Sequence, residues 1–154
     1  MTDEEIDAAL SLVTTGSPRE QLEYRYNGFN LLTILIRLRQ YEQAKRLLDN
    51  GFPVDANNVR YICTALTHAA YLGDESAVRL LLARGACIEG HATQDMTPLH
   101  EAAREGNTAM VRLLLQSGAN VNAPAIHDST PLDFASTEEV ARVIEEAGGK
   151  HSDP

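Results

Sequence analysis

From Gln94 to Ala123 the chain reads QDMTPLHEAAREGNTAMVRLLLQSGANVNA, with apolar positions in two short helical registers parted by a Gly-Asn break. Leu99, Ala102 and Ala103 stand at i, i+3 and i+4, which gives a first helix one narrow apolar stripe. Met110, Val111, Leu114 and Leu115 give a second helix the same. Thr97 offers a hydroxyl for the N-cap, and Pro98 takes the first helical position, where a missing N–H is harmless. Glu101 falls in the first turn, which the helix dipole favours. Gly106 and Gly118 close the two helices, where a residue of positive φ is wanted. The predicted unit is a helix-turn-helix whose small alanines let a neighbouring helix approach closely.

The pattern recurs. TPLH at Thr97 to His100 has counterparts in TALT at Thr64 to Thr67 and TPLD at Thr130 to Asp133, each 33 residues away. Leu114, Leu115 and Gly118 match Leu81, Leu82 and Gly85, and then Leu47, Leu48 and Gly51 at a spacing of 34. A further unit therefore starts near Asn30, with Leu32, Leu35 and Ile36 where Leu99, Ala102 and Ala103 stand. Units this small have too little interior to fold alone, so they stack and offer an extended surface.

Departures from the period carry their own expectations. Arg39 replaces Gly73 and Gly106, which predicts that the first helix of the Asn30 unit ends differently or runs on. The last unit is three residues shorter between Thr130 and Gly148, as suits a terminal cap. Its second helix is predicted to turn Val140, Val143, Ile144 and Ala147 inward, with Glu138, Glu139, Glu145 and Glu146 solvating the outside. Near the N-terminus, Thr2 with Glu5 and Ser17 with Pro18 and Glu20 form capping-box signatures, predicting helices near 3–14 and 18–26. Ile6, Ala9, Leu10 and Val13 stripe the first of these.

The T-P-L-H-x-A signature at a 33-residue period resembles the ankyrin repeat, over about residues 29–149 and most strongly over 61–123. The resemblance implies an all-α solenoid of stacked helix-turn-helix units joined by β-turn or hairpin loops. It divides the chain into one domain, 1–149, followed by a polar tail, 150–154. Within the domain, 1–28 form degenerate capping helices, 29–60, 61–93 and 94–126 are repeats, and 127–149 is a shortened C-terminal cap. The family often places Gly two residues before the Thr, where this chain has Ile62, Asp95 and Asp128. Asp tolerates positive φ, but Ile does so only at a cost.

Composition narrows the function. With 44% hydrophobic residues in 154, the chain has enough apolar material for a continuous core. No apolar run approaches the roughly 20 residues of a membrane span, and the opening TDEEIDAALS is acidic where a secretory signal is basic. A cytoplasmic location is expected, and Cys63 and Cys87 are expected to stay unpaired. The net charge of −9 argues against nucleic acid, which needs a basic face. The charge is uneven: Tyr24 to Arg60 holds six basic residues against three acids, whereas Val121 to Gly149 holds six acids against Arg142 alone. Solvated caps explain this most simply; an acidic face that steers a basic partner is the alternative.

Motifs for chemistry are missing. No Gly-x-Ser-x-Gly, phosphate loop or Gly-x-Gly-x-x-Gly occurs, and no His or Cys pair has metal-ligand spacing. His100 is expected to be structural, its ring bonding to backbone in the adjoining turn, as its place in TPLH implies. No catalytic residue, metal or cofactor is assigned, and an enzyme of unknown type is only a remote alternative.

Function is then expected on exposed positions that the repeat does not need for itself. The resemblance implies binding at turn tips and on the concave face of the first helices. That points to Arg60 and Tyr61 in one turn; His91, Gln94 and Met96 in the next; Ile126 and His127 in the last. On the helices it points to Tyr71, Leu72, Arg104 and Glu105. Seven of the eight aromatics lie between Tyr24 and Tyr71, which makes the first half the expected anchor, although Phe29, Tyr41 and Phe52 also suit gap-filling between imperfect units. The leading expectation is a non-catalytic adaptor or inhibitor, monomeric when free, that binds another protein. The sharper alternative is an acidic immunity or antitoxin-type protein that neutralises a basic toxin such as a nuclease.

Overall fold

The computed structural model describes residues 3–58, 63–90 and 96–152 of the chain. Two opening helices, α1 (Asp3–Thr15) and α2 (Pro18–Glu23), lead into a hairpin of β1 (Arg25–Tyr26) and β2 (Phe29–Asn30). Three helix pairs follow: α3 (Leu31–Arg37) with α4 (Tyr41–Asp49), α5 (Ala65–Tyr71) with α6 (Glu75–Ala83), and α7 (Pro98–Arg104) with α8 (Thr108–Gln116). Two 3-10 turns, Ile126–Asp128 and Pro131–Phe134, precede the closing helix α9 (Glu138–Glu146). The first helices α3, α5 and α7 pack side by side, continued by the turn at Pro131–Phe134. The second helices form a backing layer, with α4 against α6 and α8 against α9.

The caps follow from the repeated polar position. Asn30, Thr64 and Thr97 each accept, through the side chain, the backbone N–H of the residue three places on. Asp74, Asn107 and Thr137 do the same for α6, α8 and α9. One apolar core runs through the stack from Ala9 and Val13 to Val143 and Ile144. Most of it comes from the positions that the period marks: Leu32, Leu35 and Ile36, then Ala69 and Ala70, then Leu99, Ala102 and Ala103, all within 1% of complete burial.

Four local expectations change. The helix expected over 18–26 stops at Glu23, because Asn27 and Gly28, both at positive φ (50° and 86°), turn the chain into a hairpin that pairs Tyr26 with Phe29. An Asn-Gly pair between aromatic residues is a strong two-residue hairpin signal. Arg39 neither extends nor alters the end of α3. It takes φ 55° and repeats the glycine geometry, with Arg39 N–H on Ile36 O and Gln40 N–H on Leu35 O, as Gly73 and Asp74 do on Ala70 and Ala69. The first helix of the last unit is only a 3-10 turn, and Ala147, expected to face inward, is exposed at the C-cap of α9. Thr2 lies outside the described residues, whereas the capping box at Ser17 and Glu20 is formed.

Buried polar side chains tie successive units together. Asn58, 2% exposed, accepts the Asn30 N–H at 2.8 Å and donates to Cys63 O at 2.9 Å, so it bridges the start of α3 to the approach to α5. Lys150 to Ser152 also join the stack: the Lys150 N–H reaches Asn122 Oδ1 (2.8 Å), Lys150 O accepts from Thr130 (2.6 Å), and His151 pairs with Asp133 (2.7 Å).

Candidate functional site

The positions just past the buried pairs of α3, α5 and α7 form one row across the first-helix layer. Arg37 and Leu38 come from the first pair, Tyr71 and Leu72 from the second, Arg104 and Glu105 from the third. Tyr71 and Leu72 are 43% and 44% exposed, the large hydrophobic side chains most open to solvent among the described residues. The Arg104 guanidinium lies over the Tyr71 ring, 5.6 Å from its centroid, and pairs with Glu101 and with Glu105 (3.5 Å).

The hairpin closes this row at its first unit. Its tight turn sets Tyr26 opposite Phe29, and these line an open groove of about 320 Å³ with Asn27, Ile34, Arg37, Leu38 and Leu72. A ladder of rings runs beside the groove: Phe29 to His68 with centroids 5.0 Å apart, then His68 to Tyr71 at 5.9 Å. Arg37 lies over Phe29 at 4.8 Å and places Nη1 2.9 Å from His68 Nε2. A guanidinium can only donate, so His68 accepts there with a neutral ring that carries its proton on Nδ1. Burial first, and the Arg37 charge second, push the His68 pKa down to about 4. Among the described residues no carboxylate lies within ion-pair distance of Arg37.

His100, in contrast, serves the scaffold. Its Nδ1 meets the Thr97 N–H (3.2 Å) and hydroxyl (2.8 Å), while Nε2 meets Ser129 O of the next turn at 3.2 Å. Nδ1 accepts the Thr97 N–H and Nε2 therefore donates, again a neutral ring, and burial holds its pKa below the usual value. An edge-on Phe134 ring packs 5.5 Å away.

Of the side chains expected from sequence to meet a partner, the structure gathers Tyr71, Leu72, Arg104 and Glu105 on one row. Met96, just before the α7 cap, is half-buried, and exposed His127 sits with Asp128 at positive φ (59° and 58°) in a 3-10 turn that begins at Ile126. Arg60, Tyr61, His91 and Gln94 lie outside the described residues. Sequence reasoning omitted Tyr26, Arg37, Leu38 and His68 from the surface and weighed Phe29 as filler. The YNGF turn was the signal that could have placed the aromatic pair at the end of the row. Of the suspected fillers, Phe52 is buried at 6% exposure, and Tyr41 spends its hydroxyl on Asp74 at 2.7 Å.

The described residues hold no group of three or more His, Cys, Asp or Glu side chains arranged for a metal. None of their helices is long and apolar enough to cross a membrane.

The family profile described as ankyrin repeats, in three copies, matches residues 32–125 and 87–148. The chain belongs to the ankyrin-repeat family. Its stack is similar to the crystal structure of the ankyrin repeat domain of Bcl-3, a unique member of the IkappaB protein family. The likeness has a TM-score of 0.71 and 29% sequence identity, covering 78% of this chain and 53% of that one, so this chain spans about half the length of that domain. Among curated proteins, none matches the sequence. The ankyrin fold is a scaffold for contacts between proteins, and this member presents the stacked first helices such a scaffold offers.

Proposed function

We propose that this ankyrin protein is a non-catalytic adaptor or inhibitor that holds a partner protein on the row formed by α3, α5 and α7 and on the adjoining turns. The observation that carries the reading is the pair Tyr71 and Leu72, which remain open to solvent at the middle of the row while Ala69 and Ala70, directly before them, are fully buried. An aromatic ring with a polar end beside an aliphatic side chain is the kind of anchor that concentrates interface energy. A footprint on the order of 800 Å² per partner fits a stack of this size.

The exposed glutamates of α9, Glu138, Glu139, Glu145 and Glu146, favour a second reading in which a basic protein, such as a toxin, docks at that end. The two separate in one experiment. A partner captured by the wild-type chain is titrated against Tyr71→Ala with Leu72→Asp, and against a chain with the four α9 glutamates changed to glutamine. Loss with the first variant alone supports the row. Loss with the second alone, with affinity falling steeply as salt is added, supports the acidic end and overturns the row.

A further inference from the structure

The groove between the hairpin and α5 is walled by Tyr26, Phe29, Ile34, Leu38 and Leu72, and one cation, Arg37, stands on its lining. At about 320 Å³ it is near the small end of the ~300–1,000 Å³ span of ligand clefts, room for one or two large side chains. Arg37 and Arg104 hold equivalent positions in the first and third helix pairs, yet their charges are met differently. Arg104 is satisfied locally by Glu101 and Glu105. Arg37 meets the ring of Phe29 and a neutral imidazole, neither of which carries a compensating charge.

A guanidinium has five N–H donors in a rigid fork, and the contacts with Phe29 and His68 fix its plane while using one nitrogen. Holding the fork in place before binding lowers the entropy lost when a planar acceptor arrives. Taking the binding row as the working surface, we propose that this groove receives an extended segment of the partner in which a bulky apolar side chain neighbours an Asp or Glu. The apolar side chain enters between Tyr26, Phe29 and Leu72, and the carboxylate accepts from Arg37. The net charge of −9 does not forbid this, because contributions beyond about 10 Å are largely screened at 0.1 M salt, whereas the contact with Arg37 is local. It does predict that an acidic segment binds faster as salt first rises.

The test begins with a display selection on the full chain, using random peptides held between fixed flanks so that a terminal carboxylate cannot substitute for a side chain. The best peptide is synthesised with its amidated analogue, Asp→Asn or Glu→Gln, and both are titrated calorimetrically against wild type, Arg37→Gln, Arg37→Lys and Leu72→Asp. Expected is enrichment of an acid beside a large apolar residue, and a loss of about 10- to 100-fold on amidation, the worth of a charged hydrogen bond. That loss should vanish in Arg37→Gln, and Arg37→Lys should retain part of it. If apolar peptides bind, and Leu72→Asp weakens them, but amidation costs nothing or costs the same in Arg37→Gln, this inference is overturned while the binding row stands. Should Arg37→Gln not fold, the wild-type pair decides alone: no loss on amidation overturns the inference. Binders indifferent to Leu72→Asp, or no enrichment at all, overturn both.

Discussion

Arg37 of the first helix pair and His68 of the second meet across the joint between units, Nη1 to Nε2 at 2.9 Å, a contact that forces the imidazole to be neutral. The same guanidinium lies over the Phe29 ring, and Arg37 lines the groove. One pair therefore links two units of the scaffold and sets the charge of the surface they share.

Acidification should tax this joint. The folded pKa of His68, about 4, lies below its ordinary 6.5, so between these values the unfolded chain binds a proton that the folded chain refuses. Stability is full above pH 6.5, falls as pH drops through that window, and has lost this contribution by pH 4. His100, held low by burial as well, adds to the loss as pH falls below its ordinary value. Urea midpoints measured from pH 7.5 to 4 should fall for the wild type and fall less for His68→Gln. Equal slopes would show that His68 does not resist protonation.

Arg39 is a site of stored strain. It adopts φ 55°, where glycine stands in the equivalent turns at Gly73 and Gly106, and its side chain is exposed. A non-glycine residue there costs roughly 1–2 kcal/mol, partly offset by the greater freedom glycine gains on unfolding. Arg39→Gly should raise stability by about 1 kcal/mol in denaturant titration with an unchanged m-value. A destabilised variant would mean that the arginine side chain contributes more than its backbone costs.

Asn58 is a staple whose removal leaves the Asn30 N–H buried without its acceptor. Such an orphan costs about 1–3 kcal/mol. Asn58→Ala should therefore lower Tm by several degrees, while Ala at the exposed neighbour Asn57 changes it little. Similar melting of both variants would remove the staple from the account.

The repeat was readable because each unit pairs a polar cap with a fixed apolar stripe, so TPLH, TALT and TPLD placed α7, α5 and the last turn in register. Backbone conformations that the period does not demand were harder. Arg39 reads as a break in the pattern, yet the packing of Leu35 and Ile36 imposes the glycine geometry upon it. The α2 capping box starts a helix correctly, and the signal that the chain folds back lies in the Asn27-Gly28 pair itself, not in the apolar and polar spacing up to Tyr26. The binding row was half legible: Tyr71 and Leu72 stand out because the repeat has no structural need for them. Arg37, Phe29 and His68 acquire a role only when hairpin, α3 and α5 are brought together, a tertiary arrangement no local spacing encodes.

Surface anchors and core residues respond differently to truncation. Tyr71→Ala and Leu72→Ala should each shift folding free energy by less than about 1 kcal/mol, since both side chains are more than two-fifths exposed. Leu66→Ala, by contrast, empties a site 1% exposed and should cost about 2–5 kcal/mol. Equal destabilisation by all three in thermal melts would make Tyr71 and Leu72 core residues and withdraw them as anchors.

The claim that a partner is held on the first-helix row is tested most directly by mapping backbone amide shifts of the full chain as an unlabelled bound peptide or protein is added. The account predicts that the changes concentrate at Tyr26 to Phe29, Arg37 and Leu38, His68 to Leu72, and Arg104 and Glu105. Changes confined to α6, α8 or α9, with that row unmoved, would contradict it.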